Sequence, residues 1–115
     1  MAEAEFVFLW TWRNEEHIAV HRVRPAEAEY VVKNARPPFP RFVGDEKEAV
    51  WGKTSSGRSL QVIYVLVAIE DVELDEFEHL ELHERIALQQ GEKAIRVIHA
   101  RDLTDAEKRR LRRRG

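Results

Sequence analysis

The sequence predicts an α+β fold: a small antiparallel sheet with two N-terminal helices on one face and a C-terminal helix. Three observations predict it. Aromatic or β-branched runs stand at 6–12, 48–54, 59–69 and 94–100, the residue types that suit a pleated, half-buried surface. Two stretches with helical spacing separate the first run from the second. A capping box followed by a basic stretch closes the chain.

In the first run Phe6, Phe8, Trp10 and Trp12 alternate with Val7, Leu9 and Thr11, the two-residue period of a strand. RNEEHIAVHRV follows, with Asn14 as the expected cap and Ile18 with His21 or Arg22 spaced like one helix face. Pro25 suits the first position of a second helix, where its missing N–H is not needed. Ala28, Val31, Val32 and Ala35 make that helix's apolar stripe. Arg36-Pro37-Pro38-Phe39-Pro40 ends it. Residues 48–54 read as the second strand, and Thr54-Ser55-Ser56-Gly57-Arg58 as a hairpin turn. SLQVIYVLVAI (59–69) is apolar almost throughout and reads as a central strand buried on both faces. Residues 94–100 give the last strand, and Thr104 with Glu107 starts the final helix. The acidic segment 70–92 spaces best as a helix ending at Gly91, with an extended hairpin as the alternative.

The 115 residues suit a single domain, 1–115, with 70–92 as an insertion. Hydrophobic residues make up 43%, enough to build a core. With no cysteine, a disulfide framework and thiolate metal sites are ruled out. Glu3 and Glu5 precede the first apolar run, where a secretory signal would carry positive charge, so the expected compartment is the cytoplasm. No apolar run is long enough to span a membrane as a helix. The formal net charge of −2 hides a segregation. Residues 1–69 carry nine basic and nine acidic side chains, 70–92 one and nine, and 93–115 nine and three. The last two blocks are thus −8 and +6. Either the basic end faces an external anion, or the acidic block neutralises it within the fold.

Several local words, in order, resemble BrnT-type toxins, the toxin half of bacterial type II toxin–antitoxin pairs, which have a fold like the RelE ribonucleases. In that family a strand ends in tryptophan. A helix then closes in lysine-histidine-glycine-valine. Trp12, Asn14, His21 and Val23 fit here, and Pro25-Ala26-Glu27-Ala28 stands at the second helix start. The family's glutamate-arginine…glycine…glycine-arginine hairpin is similar to Glu46-Lys47, Gly52 and Gly57-Arg58, and its strand ending in tyrosine to Val62-Ile63-Tyr64. Its isoleucine-arginine-isoleucine-isoleucine-serine-alanine-arginine signature, followed by a threonine-capped basic helix, resembles 95–101 and 104–110. The likeness covers 10–64 and 94–112. It departs at Arg22, where the family has glycine, at Leu111, where it often has an aromatic residue, and at the acidic insertion.

The resemblance implies a metal-independent ribonuclease acting on RNA, with no cofactor, in which the ribose 2′-OH attacks the neighbouring phosphate. It also implies a cognate antitoxin of the ribbon-helix-helix type. Such a reaction needs a base, an acid and a cation on the phosphate. The expected catalytic set is Arg58, Arg96, His21 and Glu46, with Lys47, Arg101 and Arg109 binding RNA phosphates. The arginines suit phosphate oxygens through their planar fork. His21 suits acid or base work near neutral pH. In an unbroken strand Arg96 and Arg101 would point to opposite faces, so both serve one site only if the strand bends. The plainer reading of Arg96 is a strand arginine paired to a carboxylate, and that of His21 a helix-end histidine. The pairs His17/His21 and His79/His83 are four apart and would share helix faces, but neither has an evident third ligand and no metal is expected. The insertion reads as a solvated helix, as an internal mimic of nucleic acid folded over the arginines, or as a partner surface. The alternative to the enzyme is a catalytically inactive protein-interaction domain on the same scaffold, and a homo-oligomer is open to either. A DNA-binding module is disfavoured, because no helix-turn-helix pattern is present.

Overall fold

The computed structural model describes residues 6–114. The acidic start at Glu3 and Glu5 lies outside the described residues. Five strands form one sheet in the order β1-β5-β4-β3-β2. They are β1 (Val7–Leu9), β2 (Arg41–Gly44), β3 (Lys47–Lys53), β4 (Ser59–Val67) and β5 (Ala94–Asp102). The helices are α1 (Trp12–Ala19), α2 (Pro25–Lys33), α3 (Leu74–Glu78), α4 (Leu82–Gln89) and α5 (Asp105–Arg114). The α+β class is as expected. The sheet is mixed rather than antiparallel, because β1 runs parallel to β5 at the edge. A parallel neighbour needs a long connection, and nearly the whole chain supplies it.

Alternation along the strands divides the interior into two cores. Phe8, Leu60, Val62, Tyr64, Ile95 and Val97 join Ile18, Ala28, Val31 and Val32 beneath α1 and α2. Val7, Leu9, Val67 and Ala94 point the other way and join Leu80, Ala87 and Leu88 from the insertion. The insertion is therefore the second hydrophobic layer of the fold. It forms two short helices behind a 3-10 turn at Ile69–Asp71, not one helix. The break falls at His79 and Leu80, and Leu80 is buried. Because of that break His79 caps α3 while His83 lies in α4, so they do not share one helix face.

Several boundaries differ from the sequence reading for local reasons. Trp12 opens α1 instead of ending β1, because Thr11 is the N-cap and its Oγ1 accepts from the Asn14 amide at 3.3 Å. Asn14, the expected cap, lies inside the helix, and its Nδ2 donates to the Val97 carbonyl at 3.1 Å. That bond satisfies an acceptor on β5 beyond the reach of the three-residue β1. Strand β2 has no buried residue and so left no hydrophobic pattern to read. β4 is not buried on both faces: Leu60, Val62 and Tyr64 are buried but Leu66 on their face is exposed, and Gln61 and Ile63 on the other are half-exposed. Among the described residues no helix is long and apolar enough to cross a membrane.

Leu88 is 1% exposed in the second core. Leu88→Ala should cost about 2–5 kcal/mol, measured by urea unfolding. An insertion that merely decorated the surface would lose almost nothing on this change.

Candidate active site: a histidine pair held by an arginine clamp

Strand β5 carries a bulge. Ile63 stands opposite His99 and Tyr64 opposite Val97, so Ile98 has no partner. The extra residue resets the alternation. Arg96 lies opposite Val65, His99 opposite Ile63 and Arg101 opposite Gln61, all odd positions of β4 and therefore on one face. Ala100 meanwhile returns to the first core beside Val97. The bend needed to place Arg96 and Arg101 on one face is thus present.

The three strand-and-hairpin arginines nevertheless do not converge. Arg58 donates Nε and Nη2 to the two oxygens of Asp102 at 2.7 and 3.0 Å. Its Nη1 donates to the Arg22 carbonyl at 2.5 Å and its Nη2 also to the His21 carbonyl at 2.8 Å. Arg96 donates Nε and Nη2 to the carboxylate of Glu76 at 2.7 and 2.6 Å, and Nη2 also to the Asp71 carbonyl at 3.2 Å. Glu76 comes from the acidic insertion and is 2% exposed. Burial pushes its carboxyl up, but the Arg96 guanidinium and the Glu73 amide outweigh that and hold it below its ordinary value. Arg101 donates Nη1 and Nη2 to Glu107 at 2.8 and 2.9 Å. Each guanidinium has the fork-to-fork geometry that a phosphate would need, and each gives it to a carboxylate of the same chain.

The other expected residues lie apart. Lys47, opposite Val65, shares a cross-strand row with Arg96, about 10 Å away across two strand spacings. Glu46 is in the β2–β3 turn with a left-handed φ of 61°. It is separated from the hairpin at Arg58 by the length of β3, about 20 Å. Arg109 is exposed on α5. The expected set of Arg58, Arg96, His21 and Glu46 therefore splits between two ends of the sheet.

One end does assemble acid–base groups. The His21 and His99 rings lie 5.3 Å apart at 71°, edge to face. His99 is half-exposed and His21 exposed, beside the uncovered part of the sheet at Gln61 and Ile63. Desolvation lowers the His99 pKa, and the nearby His21, Arg101 and His17 lower it further, which favours the neutral ring. His99 was missed in the sequence because an unbroken strand turns it away from Arg96, and no local motif announces the bulge. Arg58 reaches the pair only through backbone, fixing the turn that carries His21. His17 lies inside α1 and His21 beyond its end, so this pair does not share a helix face either. Among the described residues no three His, Cys, Asp or Glu side chains gather as metal ligands.

The departure at Arg22 has a geometric meaning. Its φ is +59°, a backbone state that costs an L side chain about 1–2 kcal/mol and glycine nothing. Two carbonyl contacts from Arg58 hold the turn there regardless. Arg22→Gly should leave the fold intact and raise its stability by up to about 1 kcal/mol, read by urea unfolding; a loss would mean that the arginine side chain itself holds the turn.

The clamps also set acid stability. The hydrogen bonds from Arg101 and then from the Thr104 amide pull Glu107 from 4.5 down to about 2. A carboxyl depressed by folding stabilises fully above its unfolded pKa and loses that contribution as pH falls toward the folded one. The gap in melting temperature between wild type and Glu107→Gln should therefore be full above pH 4.5 and close as pH approaches about 2. A gap independent of pH would assign the effect to packing.

Compared with known proteins, the chain matches no family model, no curated protein and no solved structure.

Proposed function

We propose that the protein is a toxin-type ribonuclease that cleaves RNA without a metal, using His99 and His21 as base and acid. The observation that carries this reading is the juxtaposition of the two rings, 5.3 Å apart, from residues 78 positions apart (99 minus 21) in the chain. Neutral His99 takes the proton of a ribose 2′-OH. The 2′ oxygen bonds to the adjacent phosphorus as the bond to the 5′ oxygen breaks. His21, as the acid, gives a proton to that leaving oxygen. The products are a 2′,3′-cyclic phosphate and a 5′-hydroxyl, and the histidines have exchanged protonation states. Arg101, beside His99, contributes positive potential at the phosphate. Arg58 is a positioning residue that presents His21. Arg96 holds the insertion to the sheet. A ribbon-helix-helix antitoxin is the partner that the sequence resemblance adds to this reading.

One observation favours a second reading, a catalytically inactive interaction domain. Arg58, Arg96 and Arg101 are all occupied by carboxylates, which reduces the charge they can offer a phosphate.

Incubating RNA with the purified chain in EDTA separates the two. Cleavage is expected, with its rising pH limb centred below the ordinary histidine value of 6.5. His99→Gln and His21→Gln should each lose about 100-fold or more in rate while melting like wild type. Intact RNA after incubation with folded wild type would establish the inactive domain. Cleavage unchanged by His99→Gln would remove the histidine mechanism.

A further inference from the structure

A groove of about 540 Å³ lies between α2, the proline-rich loop 36–40, the end of β3 and α5. Its aromatic walls are Tyr30, 41% exposed, and Phe39 and Trp51, whose rings stack at 5.7 Å and 29°. Its charged walls are Arg36, Lys53, Lys108 and Arg112, and among the described residues no acidic side chain lines it. This contrasts with the three arginines above, each taken by a carboxylate. Among the described residues none of these four cations forms an ion pair with a carboxylate. Its volume is within the range of small-ligand sites, about 300–1,000 Å³.

Aromatic faces next to unpaired cations match one ligand chemistry well: an unstacked base with its flanking phosphates. A base stacks on a ring whatever its identity, and the phosphates meet lysine and arginine. A duplex would hide its base faces and gain nothing from Tyr30 or Trp51. One groove residue, Trp51, also lies in a cross-strand row on the histidine face of the sheet. Trp51 stands opposite Gln61 and Gln61 opposite Arg101, one row across three strands. Trp51 Nε1 donates to Gln61 Oε1 at 2.9 Å, which fixes the indole in that row. Lys108 and His21 both lie close enough to Asp102 to help depress its carboxyl, behind the larger effect of the Arg58 hydrogen bond. The groove and the histidine pair thus adjoin the same Arg58–Asp102 clamp.

We propose that this groove binds single-stranded RNA, with a base against Tyr30 and Trp51 and adjoining phosphates on Lys53, Lys108 and Arg112, and feeds the strand across Gln61 toward His21 and His99. Only the direction of the strand rests on the ribonuclease reading.

The test uses a short 2′-O-methyl oligouridine, which lacks the attacking hydroxyl, and an abasic oligomer with the same number of phosphates. Binding is followed by fluorescence anisotropy across a salt series. The oligouridine should bind more tightly than the abasic strand. Tyr30→Ala should weaken it about fivefold or more and erase most of that preference. Lys53→Gln and Arg112→Gln, both exposed, should each lower the salt slope by about one. Equal binding of the two oligomers, or groove variants that bind like wild type, would overturn the proposal. Binding that follows this pattern without cleavage of natural RNA removes the ribonuclease reading and leaves the groove standing. Cleavage through His99 with no effect of the groove variants does the reverse.

Discussion

A single unpaired residue in β5, Ile98, decides what the open half of the sheet can do. A strand keeps a strict two-residue period, so one extra residue exchanges the faces of everything after it. Before the bulge Ile95 and Val97 fill the first core; after it Ala100 does. The same step turns His99 and Arg101 onto the face that Arg96 already occupies. Without it His99 would point toward the α1–α2 core. The left-handed turn at Arg22 then brings His21 to meet His99 from outside the sheet.

The arginines on that frame serve the frame first. Arg58 joins the β3–β4 hairpin to the end of β5 and to the turn after α1. Arg101 ties β5 to the capping box of α5. Arg96 receives Glu76 from α3 and so fastens the acidic insertion over one half of the sheet. The −8 and +6 blocks therefore meet inside the fold at the Arg96–Glu76 pair. That is part of the neutralisation within the fold that the sequence offered as one of two alternatives. It is incomplete, because Arg109, Arg110, Arg112 and Arg113 on α5 stay exposed. The cations with most to offer a polyanion are those in the groove and on α5, not those in the strand motif.

The insertion is more than a cover over charge. Leu80, Ala87 and Leu88 complete a core that Val7, Leu9, Val67 and Ala94 begin. Its removal would leave those strand residues facing water, so deleting 70–92 tests folding before it tests inhibition.

The sequence by itself determined the α+β class, the long central strand, the proline start of α2, the turn at 54–58 and the capping box of α5. Each follows from residues a few positions apart, whose spacing and backbone preferences act locally. Only the tertiary structure decided the parallel edge strand, the split insertion, the bulge, the carboxylate taken by each arginine and the meeting of His21 with His99. Parallel pairing, bulges and side-chain partners depend on residues tens of positions apart, whose closeness comes from packing two cores on one sheet and leaves no periodic trace in the chain. Thr11 shows the boundary between the two kinds of information. Thr11 and Asn14 are both capping residue types in the same local sequence; Thr11 takes the cap, and Asn14 accepts from the Thr11 hydroxyl and donates to the open carbonyl of Val97, 83 residues beyond it.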